Sequence, residues 1–514
     1  MTHVRDVPGP VTLPRRSFLQ LCGLASASLL LPSHAGCGDN VPATEPSTGD
    51  ALPIPAQLEG ELIAGVRVFR LQMQPGTVTW VPDAPTATYG INGDYLGPTL
   101  RLRRGERTRI EVSNGLSETS TLHWHGIELP ARADGGPYQP IAPGTTWVSE
   151  FDVVQRPTTA WYHPHQMHAT GRQVYMGMAG LIQIDDPAAP ELQLPTTYGI
   201  DDFPLVLQDR RLFADGSHPY SSGGSLAMHD MMAGLKGDIM LVNGKVSPRG
   251  TLPQGWVRLR LLNGSNARNY LLGFGDDRAF QQIASDGGLL AAPLTSKRLL
   301  LGPGERAEIL LDLRNDATGS EFKLRSFSNE SYSQLFAGQM GSNLADTRDR
   351  EAFDIMTIVV GPPLMTEVVP PSVFAPITAP NVALATTTRR LTLAMAMGNV
   401  TINGARMLDL ANVPAAIDFR IARGSVEVWE VVNTSGMAHP LHVHNQQFQV
   451  VDVAGAAPLP HLQGWKDTVI IPPNQTVRLL LHFDSVADAA SPYMFHCHIL
   501  EHEDHGMMGR FFIV

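Results

Sequence analysis

From Ile91 the chain reads Ile91-Asn92-Gly93, and the alternating stretch Arg107-Thr108-Arg109-Ile110-Glu111-Val112-Ser113-Asn114 follows. An Asn-Gly pair after β-branched residues is a tight-turn signal, and a period-2 alternation ending in Asn reads as a half-buried strand. The same phrase returns as Val242-Asn243-Gly244 before Val257 to Asn263, and as Ile402-Asn403-Gly404 before Val426 to Asn433. A second phrase also occurs three times: Pro143-Gly144 before Trp147 to Val153, Pro303-Gly304 before Ala307 to Leu313, and Pro473-Asn474 before Val477 to Asp484. Both phrases keep their order in every copy, so they mark an internal repeat. Turn chemistry followed by alternation is the pattern of Greek-key β-sandwiches. The fold expected is all-β, with three related sandwich domains at 59–190, 191–362 and 380–514 and a proline-rich linker at 363–379.

Composition agrees with that reading. The chain has 514 residues, too many for one core, and its 48 glycines, 40 prolines and 17% charged residues favour strands and turns over long helices. A formal net charge of -11 offers no phosphate-neutralising surface, so no nucleic-acid partner is expected. Three cysteines cannot build a disulfide scaffold.

The N-terminus carries an export signal. Arg15-Arg16-Ser17-Phe18-Leu19 precedes an apolar run from Leu19 to Leu31, which is too short for the roughly 20 residues of a membrane span. The paired arginines resemble a twin-arginine signal, implying the matching export machinery and a periplasmic or cell-envelope location. The signal is read as 1–37, and Ala35-Gly36-Cys37 makes Cys37 a candidate lipid-anchor site. Residues 38–58, rich in Pro, Thr, Ser and Gly, are read as a flexible tether.

Four histidine clusters carry the chemistry. The first repeat holds His123-Trp124-His125-Gly126 and His163-Pro164-His165. The third holds His439-Pro440-Leu441-His442-Val443-His444 and His496-Cys497-His498-Ile499-Leu500-Glu501-His502. The middle repeat has no histidine at the matching places. Ten of the 18 histidines therefore fall in 20 residues, where even spreading would put fewer than one. Residues i and i+2 of a strand share a face, so each His-x-His pair aims two imidazoles one way and the residue between them the other. In the last cluster that intervening residue is Cys497, which can bind a different metal behind its neighbours. One thiolate, two imidazoles and a weak axial thioether suit a blue-copper site. Cys497, His439 and His502 supply that set, with Met507 as the axial candidate.

These motifs, in this order and over the length from residue 59, resemble the multicopper oxidases, the family of laccases, bilirubin oxidases and bacterial cuprous oxidases. The resemblance implies cupredoxin-like domains and four coppers per chain. His439, Cys497, His502 and Met507 match the type 1 copper, and His123 with His442 the type 2 copper. His125, His163 and His498 match one type 3 copper, and His165, His444 and His496 the other. It implies one-electron oxidation of phenols, aromatic amines, Cu(I) or bilirubin at type 1, passage through Cys497, and four-electron reduction of O2 to water at the three-copper cluster. Asp134 and Glu503 match the family's proton-relay acids; on local sequence alone Asp134 reads equally well as a turn residue before Gly135-Gly136. Asp467, in Trp465-Lys466-Asp467-Thr468, reads as a structural hydrogen-bond acceptor.

Other readings remain open. His168, His218, His229, His461, His482 and His505 are assigned no copper. Met228, Met231, Met232 and Met240 read as one short loop, either a modest Cu(I) site or ordinary packing. The stretch Tyr332 to Phe353 holds only Met340, so an open histidine edge at type 1 that accepts bulky phenols is expected. The alternatives are a dedicated cuprous oxidase and a non-enzymatic copper-storage or cell-envelope scaffold. The chain is expected to act as a monomer.

Overall fold

The computed structural model describes residues 50–187, 192–221, 226–365, 368–396, 398–484 and 487–514. The export signal and Cys37 lie outside them. Among the described residues no helix is long and apolar enough to cross a membrane.

Each repeat builds the same sheet edge to edge. Val66–Val81 pairs parallel with Arg107–Asn114, which pairs antiparallel with Thr146–Asp152. Asp202–Arg210, Trp256–Asn263 and Arg306–Asp312 repeat that arrangement, as do Thr387–Ala396, Val426–Asn433 and Thr476–His482. The two phrases are thus equivalent strands in three copies.

The repeated asparagines have a physical task. Asn92, Asn243 and Asn403 sit at positive φ (57°, 51° and 53°), where Asn is tolerated better than most residues. Their side chains accept from the first strand of the same repeat, through the amides of Gln72, Val206 and Thr392 at 2.6, 2.8 and 2.8 Å. The strand-ending asparagines Asn114, Asn263 and Asn433 each donate twice, to the carbonyls of Glu118 and Ile141, Arg268 and Leu301, and Met437 and Ile471. Each donor pair ties the strand end to the loop that leads into the partner sheet.

Six sheets form among the described residues and close three cores in pairs. The first core includes Phe69, Ile110, Trp124 and Tyr162; the second Leu205, Leu259, Tyr270 and Ile358; the third Trp429, Leu441, Phe495 and Phe511. The architecture is that of three cupredoxin-like Greek-key sandwiches.

One expectation fails. Residues 51–58, read as the end of a flexible tether, are docked. Gln57–Leu58 adds a parallel strand to Thr99–Arg103, Leu52 N donates to the Arg249 carbonyl at 2.8 Å, and Asn243 Nδ2 donates to the Pro53 carbonyl at 2.8 Å. Proline-rich composition suggested freedom, but sheet edges in two sandwiches offer unpaired backbone groups that this segment satisfies.

Candidate metal centres

The four clusters lie at strand ends that face one another. His123–His125 pairs antiparallel with Thr158–His163, bringing His123 opposite His163. In the third sandwich His439–Val443 pairs with Tyr493–Cys497, bringing His442 opposite His496 and Leu441 opposite Cys497. Strand alternation divides the faces as expected. Trp124 turns into the first core and donates its Nε1–H to Ser149 Oγ at 3.0 Å, while Cys497 turns away from its flanking histidines.

Four groups of ligand atoms result, each within 4.8 Å: His123 with His125 and His442; His125 with His163 and His498; His165 with His444 and His496; and His439 with Cys497 and His502. All are fully buried or nearly so. The Nε2 atoms of His165 and His444 stand 3.2 and 3.3 Å from that of His496. His125 Nδ1 lies 3.4 Å from His163 Nε2. His123 and His442 each give Nδ1–H to a backbone carbonyl, of Asp134 at 3.0 Å and of Asp467 at 2.9 Å. Their buried Nε2 atoms have no hydrogen-bond partner. Buried polar atoms are normally satisfied, so lone pairs converging this way fit a metal.

The Cys497 group lies within the third sandwich. Cys497 Sγ is 3.5 Å from Nδ1 of both His439 and His502. The outer nitrogens are held in turn, His439 Nε2 by Ser435 Oγ at 2.8 Å and His502 Nε2 by the Met232 carbonyl at 3.0 Å. Met507 is buried and pinned by backbone, its carbonyl accepting from Cys497 N at 3.0 Å and its amide donating to the His502 carbonyl at 2.9 Å.

Burial sets the charge state. Desolvation, reinforced by neighbouring imidazoles, holds His125, His163, His165, His439, His442, His444 and His498 well below the ordinary histidine value. Burial brings His496 down to about 3 and His502 to about 4. Such rings are neutral and carry a free lone pair, which a metal requires. Burial pushes the Cys497 thiol up, so it is the soft donor that only a thiophilic cation would deprotonate.

Three carboxylates stand behind the rings and cross between sandwiches. Asp134, from the first, accepts from His444 Nδ1 of the third at 2.7 Å and lies 3.4 Å from His123 Nδ1. Glu503 faces His165 Nδ1 at 3.1 Å and His496 Nδ1 at 3.2 Å. Asp467 Oδ1 accepts from His125 Nε2 at 3.0 Å. Sequence reasoning gave Asp467 a structural role and missed its contact with a ligand ring; Arg306, which holds it, was not singled out at all.

Two expectations about the Cys497 site are corrected. The histidine edge is covered: His439 and His502 are both 0% exposed. Helix Met228–Ala233 brings the Met232 carbonyl onto His502, and the segment after helix Ser328–Leu335 pairs Phe336 with Met437, two residues before His439. The sequence reading looked for a methionine-rich cover, but backbone and aromatic groups do the covering. Met240 is not part of the methionine loop; it lies in strand Ile239–Val242, 3% exposed, within the middle core. Met228, by contrast, is 59% exposed.

Comparison with known proteins agrees with this geometry. Family models described as multicopper oxidase match residues 72–189 and 382–514. The multicopper oxidase mco of Staphylococcus haemolyticus is 35% identical over 87% of this chain and 88% of its own length. The cell division protein FtsP of Escherichia coli is 32% identical over 98% of this chain and 99% of its own. Among solved structures, the laccase-like multi-copper oxidase CueO of Ochrobactrum sp., with oxidase activity towards lignin model compounds and lignosulfonate, superposes with a TM-score of 0.80 at 35% identity, covering 90% of this chain and 100% of its own. With its motifs, fold and relatives in accord, this chain belongs to the multicopper oxidase family.

Proposed function

We propose that the chain is an exported, laccase-like oxidase holding four coppers. Cys497, His439, His502 and Met507 would hold type 1; His123 and His442 type 2; and the sets His125, His163, His498 and His165, His444, His496 the type 3 pair. Copper bound there would supply one-electron oxidation of a phenol, aromatic amine, bilirubin or Cu(I) at Cys497 and four-electron reduction of O2 to water at the three-copper site. One observation carries the reading: ten histidines and a cysteine from four distant motifs converge as buried donors in two places.

The chain's own groups serve that chemistry. Cys497 is bonded in sequence to His496 and His498, so two short covalent paths join the sites. Burial, reinforced by Asp504 and Glu501, holds Glu503 well above the ordinary carboxyl value, which favours its protonated form within reach of His165 and His496. Glu503, and Asp134 beside His123 and His444, are the proposed proton donors. The signal at Arg15-Arg16 supports twin-arginine export to the periplasm or cell envelope, with Cys37 the candidate anchor.

A second reading has its own support. The likeness to the cell division protein FtsP over 98% of the chain favours a role in cell division in place of oxidase turnover. Copper analysis and O2 uptake decide between them. The oxidase reading expects four coppers per chain and O2 consumption with Cu(I), a substituted phenol or bilirubin; one or two coppers at full loading, or no uptake with any of the three, refutes it.

A further inference from the structure

The middle sandwich contributes none of the histidines, yet it reaches the three-copper site. Its Pro303-Gly304 phrase is followed by Arg306, where the other two repeats have Thr146 and Thr476. Arg306 is 1% exposed. Its Nη1 and Nη2 donate to Oδ1 and Oδ2 of Asp467 at 2.7 and 2.5 Å, and its Nε donates to the Thr159 carbonyl at 3.1 Å. One guanidinium of the middle repeat therefore grips the third sandwich and the first together. Two parallel bonds fix a carboxylate's plane as well as its place, which an ammonium group cannot do.

What Asp467 does with that fixed plane is specific. Its Oδ1 accepts from His125 Nε2 at 3.0 Å, and its carbonyl accepts from His442 Nδ1 at 2.9 Å. A neutral imidazole carries one N–H, so each bond leaves the opposite nitrogen with the lone pair. His125 is thereby held to present Nδ1 and His442 to present Nε2. Gly126 completes the device at φ +89°, since a Cβ there would lie 2.5 Å from Arg306 Nη2 and 2.7 Å from Asp467 Oδ2. The glycine that follows His123-Trp124-His125 is required by this ion pair.

We propose that Arg306 is a positioning residue for the three-copper site: through the Asp467 carboxylate it sets which nitrogen His125 turns toward the metals. The inference rests on the copper assignment above. It differs from simple docking of the sandwiches, because the neighbouring Lys466, paired with Asp286 at 2.9 Å and Glu305 at 2.8 Å, already ties the middle and third sandwiches together.

The test uses Arg306→Lys, which keeps the charge and loses the fork, and Asp467→Asn, which keeps the shape and loses the anionic acceptor. Both variants should keep the blue band of the Cys497 copper, while copper at the three-copper site binds about ten to a hundred times more weakly and the type 2 electron paramagnetic signal falls in step. On copper-free protein, 15N-histidine spectra should find His125 protonated at Nε2 in the parent and mixed between nitrogens in both variants. Parent-like copper content together with a parent-like His125 tautomer overturns the proposal. So does loss of the blue band and the cluster copper together with a lowered Tm, the mark of a mere interdomain staple. Should the parent itself bind no more than two coppers, the copper assignment falls, and the copper-free spectra still decide the role of Arg306.

Discussion

The two candidate metal centres are built on opposite plans. At the proposed three-copper site the rings of one sandwich are held from behind by groups of another: Asp134 of the first holds His444 of the third, and Asp467 of the third holds His125 of the first. Glu503 stands behind His165 and His496, one from each. The Cys497 site draws its candidate ligands and most of their supports from one sandwich, with Ser435 on His439 and Met507 on Cys497 through backbone; from outside come the Met232 carbonyl on His502 and the backbone of residues 335–337 beside 436–438. Outer partners that orient a ligand also tune its affinity. The cluster should therefore be sensitive to how the sandwiches meet, and the Cys497 site should not.

Removing the thiol is the sharpest cut between the two. Cys497→Ser should abolish the blue band and turnover altogether, because the hydroxyl lacks the soft donor that gives such a site its character. The three cluster coppers should stay, since their ligands are other side chains. A variant that remains blue, or that loses the cluster copper as well, would break the division drawn here. A smaller effect is expected at Glu503. Glu503→Gln keeps nearly the same shape beside His165 and His496 but cannot deliver a proton. The blue band and the copper should persist while O2 reduction slows. Single-turnover reoxidation, beside metal analysis, checks this; an unchanged rate would remove Glu503 from the relay.

The contrast also explains what could be read from the chain alone. The convergence of the histidine clusters was legible because a strand's period of two is local, as His496-Cys497-His498 illustrates. The three sandwiches were legible because Asn92, Asn243 and Asn403 mark turns whose geometry few other residues accept. Arg306 was not legible: an arginine in an alternating strand is usually a solvated side chain, and only the meeting of three sandwiches buries it. Asp467 was legible as a structural hydrogen-bond acceptor, but not its partners, His125 and Arg306 of the other two sandwiches. The cover over His439 and His502 was missed because Phe336 and the Met232 carbonyl have no distinctive sequence signal. The docking of 51–58 was missed because its partners, Arg249 and Asn243, lie far away in the chain.

Acidity offers a gentler way to separate the copper-free protein from the loaded one. Nine ligand histidines have lowered values in the folded chain, against an ordinary value of 6.5, so below that pH the unfolded chain takes up protons the fold refuses. Stability contributed by each is present above about pH 6.5 and is lost as pH falls, at about 1.4 kcal/mol per pH unit per proton. Burial also raises Glu128, Asp201, Glu305, Asp467, Glu501 and Glu503, and Asp504 to about 8. Those acids act oppositely, stabilising the fold as pH falls toward the ordinary carboxyl range, but they are seven against nine, and His218 and His461, each brought down to about 4, add to the nine. The copper-free protein should therefore lose Tm from pH 7 to pH 5, and the copper-loaded protein, whose rings are coordinated, should lose much less. Calorimetry of both forms tests this, and equal losses would mean that the histidines are not the groups that matter.

The smallest effect is expected where the methionines meet the Cys497 site. Helix Met228–Ala233 holds His502 through a backbone carbonyl, that of Met232, while the Met232 side chain packs against the core that contains Cys497. Replacing Met228, Met231 and Met232 together with Leu roughly preserves volume and apolarity and leaves that carbonyl in place. Met240 is excluded because it fills the middle core, where a change would report on packing. If the helix is chiefly a cover, the triple variant should oxidise a phenol within about threefold of the parent and lose only part of its Cu(I) oxidation, since exposed Met228 and its neighbours contribute soft donors without being the route to His502. Measured as kcat/KM for each reductant, abolition of Cu(I) oxidation with phenol turnover spared would instead make the thioethers the entry point for the electron. The helix would then be a metal-delivery element, and the self-contained character of the Cys497 site would extend only to its copper and not to its substrate.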